Sequence, residues 1–215
     1  MKNFKEKVAV ITGAGSGMGR YLAVLLAKDG ADVCVCDVNE ETLNETVAML
    51  RKYNVSVSSH LLDVSDKESI EALPQKVIDQ HGKVDLVFNN AGVTTGAHFK
   101  DMDENNWDWV MGINFDGVVN STRAFIPHLI NNSEAAIVNT SSIFGMVAVP
   151  GQTVYHATKF AVRGFTESLA LEMKQTNPNL QIHCVHPGHI GTNIAATARM
   201  SDEDFESTQP RSSIF

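Results

Sequence analysis

Cysteine is scarce in this sequence, and long apolar runs are missing altogether. The only cysteines among the 215 residues are Cys34, Cys36 and Cys184; they are too few for a disulfide framework and fit a reducing compartment. The apolar run nearest the N-terminus, residues 8–11, is too short for the core of a signal peptide or for a membrane span. We therefore expect a cytoplasmic protein that is not embedded in a membrane.

Positive charge is also in short supply. The chain has 17 lysines and arginines against 25 aspartates and glutamates, which gives a formal net charge of -8. Proteins that bind nucleic acid normally present a basic face to the phosphate backbone, so we expect no nucleic-acid partner. A length of 215 residues, of which 43% are hydrophobic, suits a single globular domain with a substantial core.

The apolar residues form short runs that alternate with longer amphipathic segments. Runs that are apolar throughout are typical of parallel strands buried on both faces. Their alternation with helical patterns predicts a single-domain α/β fold, a Rossmann-like doubly wound parallel sheet flanked by helices. Strands are predicted at residues 8–11, 33–36, 55–62, 84–88, 136–139 and 182–185, and the longest helical segments at 107–130 and 153–176.

Local signals add two expectations about helices. Met18, Leu22, Leu25 and Leu26 have the spacing that places them on one side of the helix after the first strand. Residues 65–68 read Ser-Asp-Lys-Glu, a sequence typical of a capping box. In that motif the serine and the glutamate satisfy each other's free backbone N–H groups at the start of a helix.

A glycine-rich turn lies between the first strand and the first helix. Residues 12–19 read Thr-Gly-Ala-Gly-Ser-Gly-Met-Gly. Glycines allow a tight turn and a close approach of a pyrophosphate to the backbone, and the helix N-terminus adds free N–H groups and a partial positive charge. Such a segment alone is a weak signal, but its place between a strand and a helix favours dinucleotide binding.

Carboxylates follow the second and third strands. Asp37 lies on the order of 20 residues after the glycines, where an acidic side chain can accept hydrogen bonds from both ribose hydroxyls and repels a 2′-phosphate. Val38 and Asn39 come next and offer no positive charge to such a phosphate, so NAD(H) is favoured over NADP(H). Alternatively, Asp37 caps the next helix; likewise, Asp63 either binds the adenine edge or ends its strand.

A tyrosine and a lysine four positions apart suggest catalysis. Tyr155 and Lys159 share one face of a predicted helix, and a neighbouring ammonium favours the phenolate needed for proton exchange with an alcohol oxygen near neutral pH. Ser142 ends the fifth strand, at the sheet edge where ligands bind. The Tyr/Lys pair is common by chance, and only its place downstream of the glycine turn and the serine makes it informative.

Together, these motifs resemble those of the short-chain dehydrogenase/reductase family. The matching segments occur in the family's order and span nearly all of the first 192 residues. They are the turn at 12–19, Asp63, Asn89-Asn90-Ala91-Gly92, Asn114, Asn139-Thr140-Ser141-Ser142, Tyr155-His156-Ala157-Thr158-Lys159 and Pro187-Gly188.

The resemblance implies a role for each matching residue. Tyr155 would exchange the proton, and Ser142 would position the substrate oxygen. Lys159 would bind the nicotinamide ribose and lower the pKa of the tyrosine. Asn114 would hold a water in a proton relay that reaches Lys159, and Asn90 would stabilise the central sheet and border the cofactor.

The implied cofactor is NAD. Thr192 would contact the nicotinamide carboxamide. Ser141 is the alternative for the serine role. The spacing of thirteen positions between Ser142 and Tyr155 favours Ser142. The implied cofactor-binding residues are Gly13, Gly15, Ser16, Gly17, Met18, Gly19, Asp37, Asp63, Val64, Asn90, Ala91, Gly92, Tyr155, Lys159, Pro187, Gly188, Ile190 and Thr192.

The C-terminal segment has a different character. Residues 1–194 are predicted to form the dinucleotide-binding and catalytic domain, whereas residues 195–215 are polar, lack a strong strand signal and are predicted to be a mobile substrate loop. Members of the family usually continue into another helix and a seventh strand. The resemblance therefore implies that these two elements are absent from this sequence.

The implied activity is that of an NAD(H)-dependent oxidoreductase that interconverts a secondary alcohol and its ketone. Its expected partners are a small-molecule alcohol or carbonyl substrate and further copies of itself in a homodimer or homotetramer. The alternatives are an epimerase or dehydratase using the same Tyr/Lys pair, and a non-catalytic dinucleotide-binding or redox-sensing protein. No metal site is expected from His183, His186 and His189, which do not converge, and His156 is expected to line the pocket.

Overall fold

The computed structural model describes residues 3–188, 190, 194 and 198–200. Strands and helices alternate along the chain, as the apolar runs predict. The elements are β1 (Val8–Thr12), α1 (Gly17–Lys28), β2 (Asp32–Asp37), α2 (Glu40–Leu50), β3 (Val57–Leu61), α3 (Lys67–His81), β4 (Leu86–Asn89), β5 (Thr95–Gly96), α4 (Glu104–Met111), α5 (Gly117–Leu129), β6 (Ala135–Thr140), α6 (Thr153–Thr176), β7 (Leu180–Val185) and β8 (Arg199–Met200).

Six strands form one parallel sheet in the order β3-β2-β1-β4-β6-β7. The order reverses between β1 and β4, so the chain winds outward in both directions from the centre. Ligands of such sheets bind at the carboxyl ends of the strands beside this reversal. The prediction of a single-domain α/β fold with a doubly wound parallel sheet is confirmed.

Both faces of the sheet are covered by apolar side chains. On one face, Val10 and Val87 pack in a cluster with residues of α3 and α5, among them the fully buried Phe125. On the other, Ile11 and Val33 pack with residues of α1 and α2. This burial on two sides explains why the central strands are apolar throughout.

The edge strand β3 departs from that pattern. It covers Val57–Leu61 rather than the whole of 55–62, and its side chains are half-buried or exposed. An edge strand has a neighbour on one side only, so it needs fewer apolar residues.

The buried side of α1 also differs from the predicted one. Leu25 is 58% exposed, while Gly19, Ala23, Leu26 and Ala27 are buried. These residues follow helical spacing as well, and their mostly small side chains let the helix lie close to the sheet. The prediction is correct for Leu26 and for Leu22, which packs against the core, and is wrong for Leu25.

The cap of α3 lies one residue later than predicted. Asp66 is the N-cap, and its carboxylate accepts hydrogen bonds from the backbone N–H groups of Glu68 and Ser69. The hydroxyl of Ser65 instead donates to the carboxylate of Asp63. A carboxylate accepts two such bonds readily, so aspartate takes the cap in place of the neighbouring serine.

The segment predicted as one helix over 107–130 contains a change of helical type. A π-helical stretch at Gly112–Asp116 separates α4 from α5. Near the end of the described residues, the two-residue strand β8 pairs in parallel with β5. This strand lies inside the 195–215 segment, where no strand signal was found, because two residues are too few to produce one.

Candidate active site

The glycine-rich turn joins β1 to α1 at the carboxyl edge of the sheet. Gly13 and Gly17 have φ angles of +65° and +50°, which L-residues with a side chain rarely adopt. Ser16 is the N-cap of α1 and makes no side-chain capping hydrogen bond. The first turn of α1 therefore offers an uncapped N-terminus, which is suited to an anion.

A side chain that directly follows β4 holds this turn in place. The amide of Asn90 donates to the carbonyl oxygens of Thr12 and Gly13 at 3.0 and 3.2 Å. In return, the Thr12 hydroxyl accepts from the backbone N–H groups of Asn90 and Ala91 at 3.0 and 3.1 Å. A Cβ on Gly13 would lie 2.8 Å from the Cα of Ala91. This close approach of the two loops is a further reason for glycine that sequence spacing did not reveal.

Asp37 ends β2 with its carboxylate beside the turn. Its Oδ2 accepts from the N–H of Gly15 at 2.8 Å, and its Oδ1 accepts from the N–H of Asn39 at 3.0 Å. The cap of α2 is Asn39, whose side chain accepts from the N–H of Thr42. Because Asn39 fills the capping role, the alternative reading of Asp37 as a helix cap is not what the structure has.

A cavity of about 450 Å³ opens in front of the turn and of Asp37. Among the predicted cofactor residues, ten line it: Gly13, Ser16, Gly17, Met18, Asp37, Asp63, Val64, Asn90, Ala91 and Gly92. Eight further lining residues were not predicted: Val38, Asn39, Thr42, Leu62, Val93, Trp109, Ile113 and Ile194. Most of these are ordinary apolar residues whose types carry no binding signal.

Gly15 and Gly19 do not line the cavity but shape its wall. A Cβ on Gly15 would lie 2.8 Å from the carboxylate carbon of Asp37, and one on Gly19 would collide with the carbonyl oxygen of Gly13. These glycines therefore act by permitting close packing behind the site.

Ser142, Tyr155 and Lys159 come together at the same edge of the sheet. Ser142 is the second residue after β6, and the other two lie in the first two turns of α6. Lys159 Nζ donates to the carbonyl oxygen of Thr140 at 2.9 Å and lies 5.6 Å from the centre of the Tyr155 ring. The Ser142 hydroxyl lies close enough to the Tyr155 hydroxyl to lower the pKa of the phenol. The predicted serine, tyrosine and lysine thus form one cluster.

Burial dominates the electrostatics of this cluster. It raises the pKa of Tyr155 above its ordinary 10.0, and the hydrogen bond with Ser142 offsets this only in part. It also lowers the pKa of Lys159 from 10.5 to about 8. The expectation that Lys159 lowers the pKa of Tyr155 is therefore not met in the chain alone. Its ammonium points to the Thr140 carbonyl rather than to the phenol.

Asn114 lies in the π-helical stretch and is fully buried. It makes a two-point clamp on Val93: Oδ1 accepts from the Val93 N–H at 2.8 Å, and Nδ2 donates to the Val93 carbonyl at 2.9 Å. A Cβ on Gly92 would lie 3.3 Å from the Asn114 Oδ1 and 3.5 Å from the Lys159 Nζ. The side chains of Asn114 and Lys159 therefore both lie close to Gly92.

Two neighbours of the cluster have structural partners. Ser141 is buried and donates its hydroxyl to the backbone carbonyl of Lys159 at 2.8 Å, which leaves Ser142 as the serine beside the tyrosine. His156, expected to line the pocket, is instead 7% exposed and bonded to the backbone of residues 144 and 149. Adjacent helix positions point in different directions, and this one points into the loop that precedes α6.

The remaining predicted residues lie after β7. The Pro187 carbonyl accepts from the N–H of Ile143 at 2.9 Å, and Ile190 is 45% exposed. Gly188 has open space where a side chain would stand. Thr192 and His189 lie outside the described residues.

Other kinds of site are not found within the described part of the chain. It holds no group of three or more histidine, cysteine, aspartate or glutamate side chains placed to bind a metal ion. His183 and His186 contact different partners, the side chain of Gln181 and the carbonyl of Ser142. Over the same residues, every helix is too short or too polar to span a bilayer.

Known proteins resemble this chain in sequence and in fold. The family model for short chain dehydrogenases matches residues 7–203. The putative oxidoreductase SadH of Mycobacterium tuberculosis is 42% identical over 208 residues, which are 97% of this chain and 75% of that protein. The 3-oxoacyl-acyl-carrier-protein reductase FabG of Thermotoga maritima is 37% identical over 186 residues, or 86% of this chain and 75% of that one.

Solved structures agree. The crystal structure of a short chain dehydrogenase/reductase from Burkholderia phymatum in complex with NAD superposes with a TM-score of 0.89 at 38% identity. The match covers 91% of this chain and 70% of that one. With the family model, the relatives and the fold in agreement, this chain belongs to the short-chain dehydrogenase family of oxidoreductases.

Proposed function

We propose that this protein is an NAD(H)-dependent oxidoreductase that interconverts a secondary alcohol and its ketone, with Tyr155 as the acid/base. One observation carries the proposal. The Ser142, Tyr155 and Lys159 side chains meet at the same sheet edge as a cavity whose wall is a glycine turn and the carboxylate of Asp37.

The lining of the cavity supports NAD(H) over NADP(H). No lysine or arginine is among its lining residues within the described chain. Arg20 directly follows the glycine turn and is the nearest cation to it in sequence. Its guanidinium donates hydrogen bonds to the carbonyl oxygens of Gly15 and Thr42 and to the carboxylate of Glu45. A 2′-phosphate would therefore meet the Asp37 carboxylate without a compensating cation, whereas the two ribose hydroxyls could donate to it. The related structure from Burkholderia phymatum was solved with NAD.

The residues around the tyrosine have distinct parts in the proposed reaction. Bound NAD would supply the hydride acceptor and, in its oxidised form, a positive charge that favours the phenolate. The Tyr155 phenolate would take the proton from the alcohol and become the phenol, and the Ser142 hydroxyl would hydrogen-bond the same substrate oxygen. Lys159 would hold the nicotinamide ribose, and a water held by Asn114 would take part in a proton relay that reaches Lys159.

A turnover assay tests the proposal. Purified protein is mixed with NAD and a panel of secondary alcohols, and nicotinamide absorbance is followed. We expect turnover that falls by about 10³-fold in Tyr155→Phe, since general acid–base groups typically contribute about 10²–10⁴-fold. Ser142→Ala should lose activity as well, whereas Ser141→Ala, the matched control, should keep it because that hydroxyl serves the backbone of α6.

Two results would overturn the proposal. Full activity of Tyr155→Phe would remove the tyrosine from its role. Tight NADH binding without turnover of any alcohol or ketone would favour the non-catalytic alternative.

A further inference from the structure

The residues after Ser142 form an exposed apolar segment. Residues 143–149 read Ile-Phe-Gly-Met-Val-Ala-Val, and we call them the apolar segment. Ile143, Met146, Val147 and Val149 are 42–52% exposed. Single exposed apolar residues are common, but a contiguous patch calls for a function.

The apolar segment lies between the two residues proposed to act on the substrate oxygen. It begins directly after Ser142, and α6 carries Tyr155 three residues into its first turn. The Phe144 ring meets the Tyr155 ring edge to face at 6.4 Å. Any group attached to a carbinol carbon at Tyr155 therefore has this segment as its neighbour.

A buried histidine fixes the segment at two points. His156 Nδ1 lies 3.0 Å from the Phe144 carbonyl oxygen, and its Nε2 lies 3.0 Å from the Val149 nitrogen. A neutral ring protonated at Nδ1 satisfies both contacts, since it donates to the carbonyl and accepts from the N–H group. The ring also packs against Phe144, with 4.8 Å between ring centres.

The apolar segment itself offers no partner for a charged substrate group. The neighbouring stretch at residues 94–98 joins the loop before α6 through a hydrogen bond from the Ala97 N–H to the Gly151 carbonyl at 3.1 Å. This stretch carries His98 and pairs through β5 with Arg199 of β8, whereas the apolar segment contains no histidine, lysine, arginine, aspartate or glutamate. A phosphate or carboxylate placed on the apolar segment would lose its hydration without gaining a counter-charge.

We propose that the apolar segment binds an uncharged, apolar substituent of the substrate, and that His156 is the positioning residue that holds this surface in place. The inference rests on the proposed function, because it assigns a substrate class to that site. A surface held in its binding shape before the substrate arrives loses little entropy on binding, so His156 contributes to affinity without touching the substrate.

A homologous series of 2-alkanols from 2-propanol to 2-octanol tests this proposal, with NAD as cofactor and kcat and KM measured separately. We expect kcat/KM to rise about threefold per added methylene, or roughly 200-fold across the five added methylenes of the series, as the chain leaves water. In His156→Ser the rise should flatten, with the loss for 2-octanol in KM rather than kcat. His156→Gln, which can still accept from the Val149 N–H, should restore part of it.

Two substitutions of exposed side chains distinguish a change in substrate binding from a change in folding. Val147→Ser changes an exposed side chain of the segment and should also flatten the series, while Leu171→Ser, at an equally exposed apolar position far along α6, should not. A flat series in the unmodified protein that turns over 2-propanol would overturn this inference and leave the proposed function intact. Failure on every alcohol would instead contradict the proposed function and the inference with it. An equal loss of kcat on all alcohols in His156→Ser would mean that the histidine supports Tyr155 and not the surface.

Discussion

The two edges of the central sheet treat buried charge in opposite ways. At the amino edge, the 4%-exposed Asp85 is paired with Lys7 and Lys83 at 3.5 and 3.0 Å and accepts from the Val8 N–H at 3.0 Å. At the carboxyl edge, the ammonium of the buried Lys159 has a neutral carbonyl as its hydrogen-bond partner. The buried carboxylate of Asp85 is therefore paired with two ammonium groups, whereas the buried ammonium of Lys159 has a neutral hydrogen-bond partner.

The carboxyl edge therefore lowers the free energy of unfolding. A charged group held away from water and from a counter-charge opposes folding, and active sites commonly carry such costs. The amino edge has no such group among the described residues. A substitution of the buried charge at the carboxyl edge should therefore raise stability and lower activity. A substitution at the amino edge should lower stability and leave activity nearly unchanged.

The largest expected effect is that of Lys159→Met. Since the pKa of Lys159 is about 8 in the fold and about 10.4 in an unfolded chain, the unfolded state binds the proton more tightly, which costs about 3 kcal/mol of stability below pH 8. Methionine should raise the free energy of unfolding of the cofactor-free chain by up to about 3 kcal/mol at pH 7. Turnover should fall by about 10³-fold.

The pH dependence of this effect has a fixed sign. The cost is complete below pH 8, shrinks as pH rises and vanishes above about 10.5, so the difference between the two proteins should close over that window. Urea unfolding at pH 7 and at pH 10 measures it, with Lys174→Met at the exposed end of α6 as control. A methionine variant less stable than the parent at pH 7 would mean that the bond to the Thr140 carbonyl outweighs the burial of charge.

The second prediction is a loss of stability with little change in activity. Asp85→Ala removes the acceptor of the buried Val8 N–H and the partner of two lysines, so the free energy of unfolding should fall by about 2 kcal/mol. Because Asp85 lies at the far edge of the sheet, kcat/KM should stay within about twofold under conditions where the variant is folded. Thermal unfolding and steady-state kinetics on the same preparation check both parts. A clear loss of kcat/KM in the folded variant would contradict the separation of the two edges.

Much of the carboxyl edge could be predicted from the sequence, and the misses have physical causes. The glycine turn, Asp37 and the Ser142/Tyr155/Lys159 group were predictable because backbone geometry and proton chemistry restrict which residues serve there. Trp109 and Ile113 were missed because apolar wall residues follow no restricted pattern.

The electrostatics were harder still to predict. The distance from Lys159 to the phenol depends on where the ammonium finds its hydrogen bond, and that partner, the Thr140 carbonyl, is a backbone atom that every sequence possesses. The clamp between Asn90 and the turn at Gly13 is similar, since the paired residues are 77 positions apart.

A third prediction concerns Asp37, whose carboxylate accepts a hydrogen bond from the glycine turn. Asp37→Ser removes the charge that repels a 2′-phosphate, so the preference for NADH over NADPH should drop by about tenfold, or about 1.4 kcal/mol. Fluorescence titration with both cofactors measures this ratio. Since the Gly15 N–H keeps a hydroxyl acceptor, the free energy of unfolding should change little. An unchanged ratio would show that selectivity comes from elsewhere in the cavity wall.

The smallest expected effect tests whether stability and binding can share one residue at the carboxyl edge. Asn39 caps α2 through its side chain, while its backbone N–H holds the Asp37 carboxylate. Asn39→Ala should lower the free energy of unfolding by about 1 kcal/mol through loss of the cap. NADH affinity should stay within about twofold because the backbone contact survives. Asn39→Asp, which keeps the cap, should leave stability unchanged. A fall in NADH affinity in the alanine variant alone would mean that the cap, and not only the N–H, sets the position of Asp37.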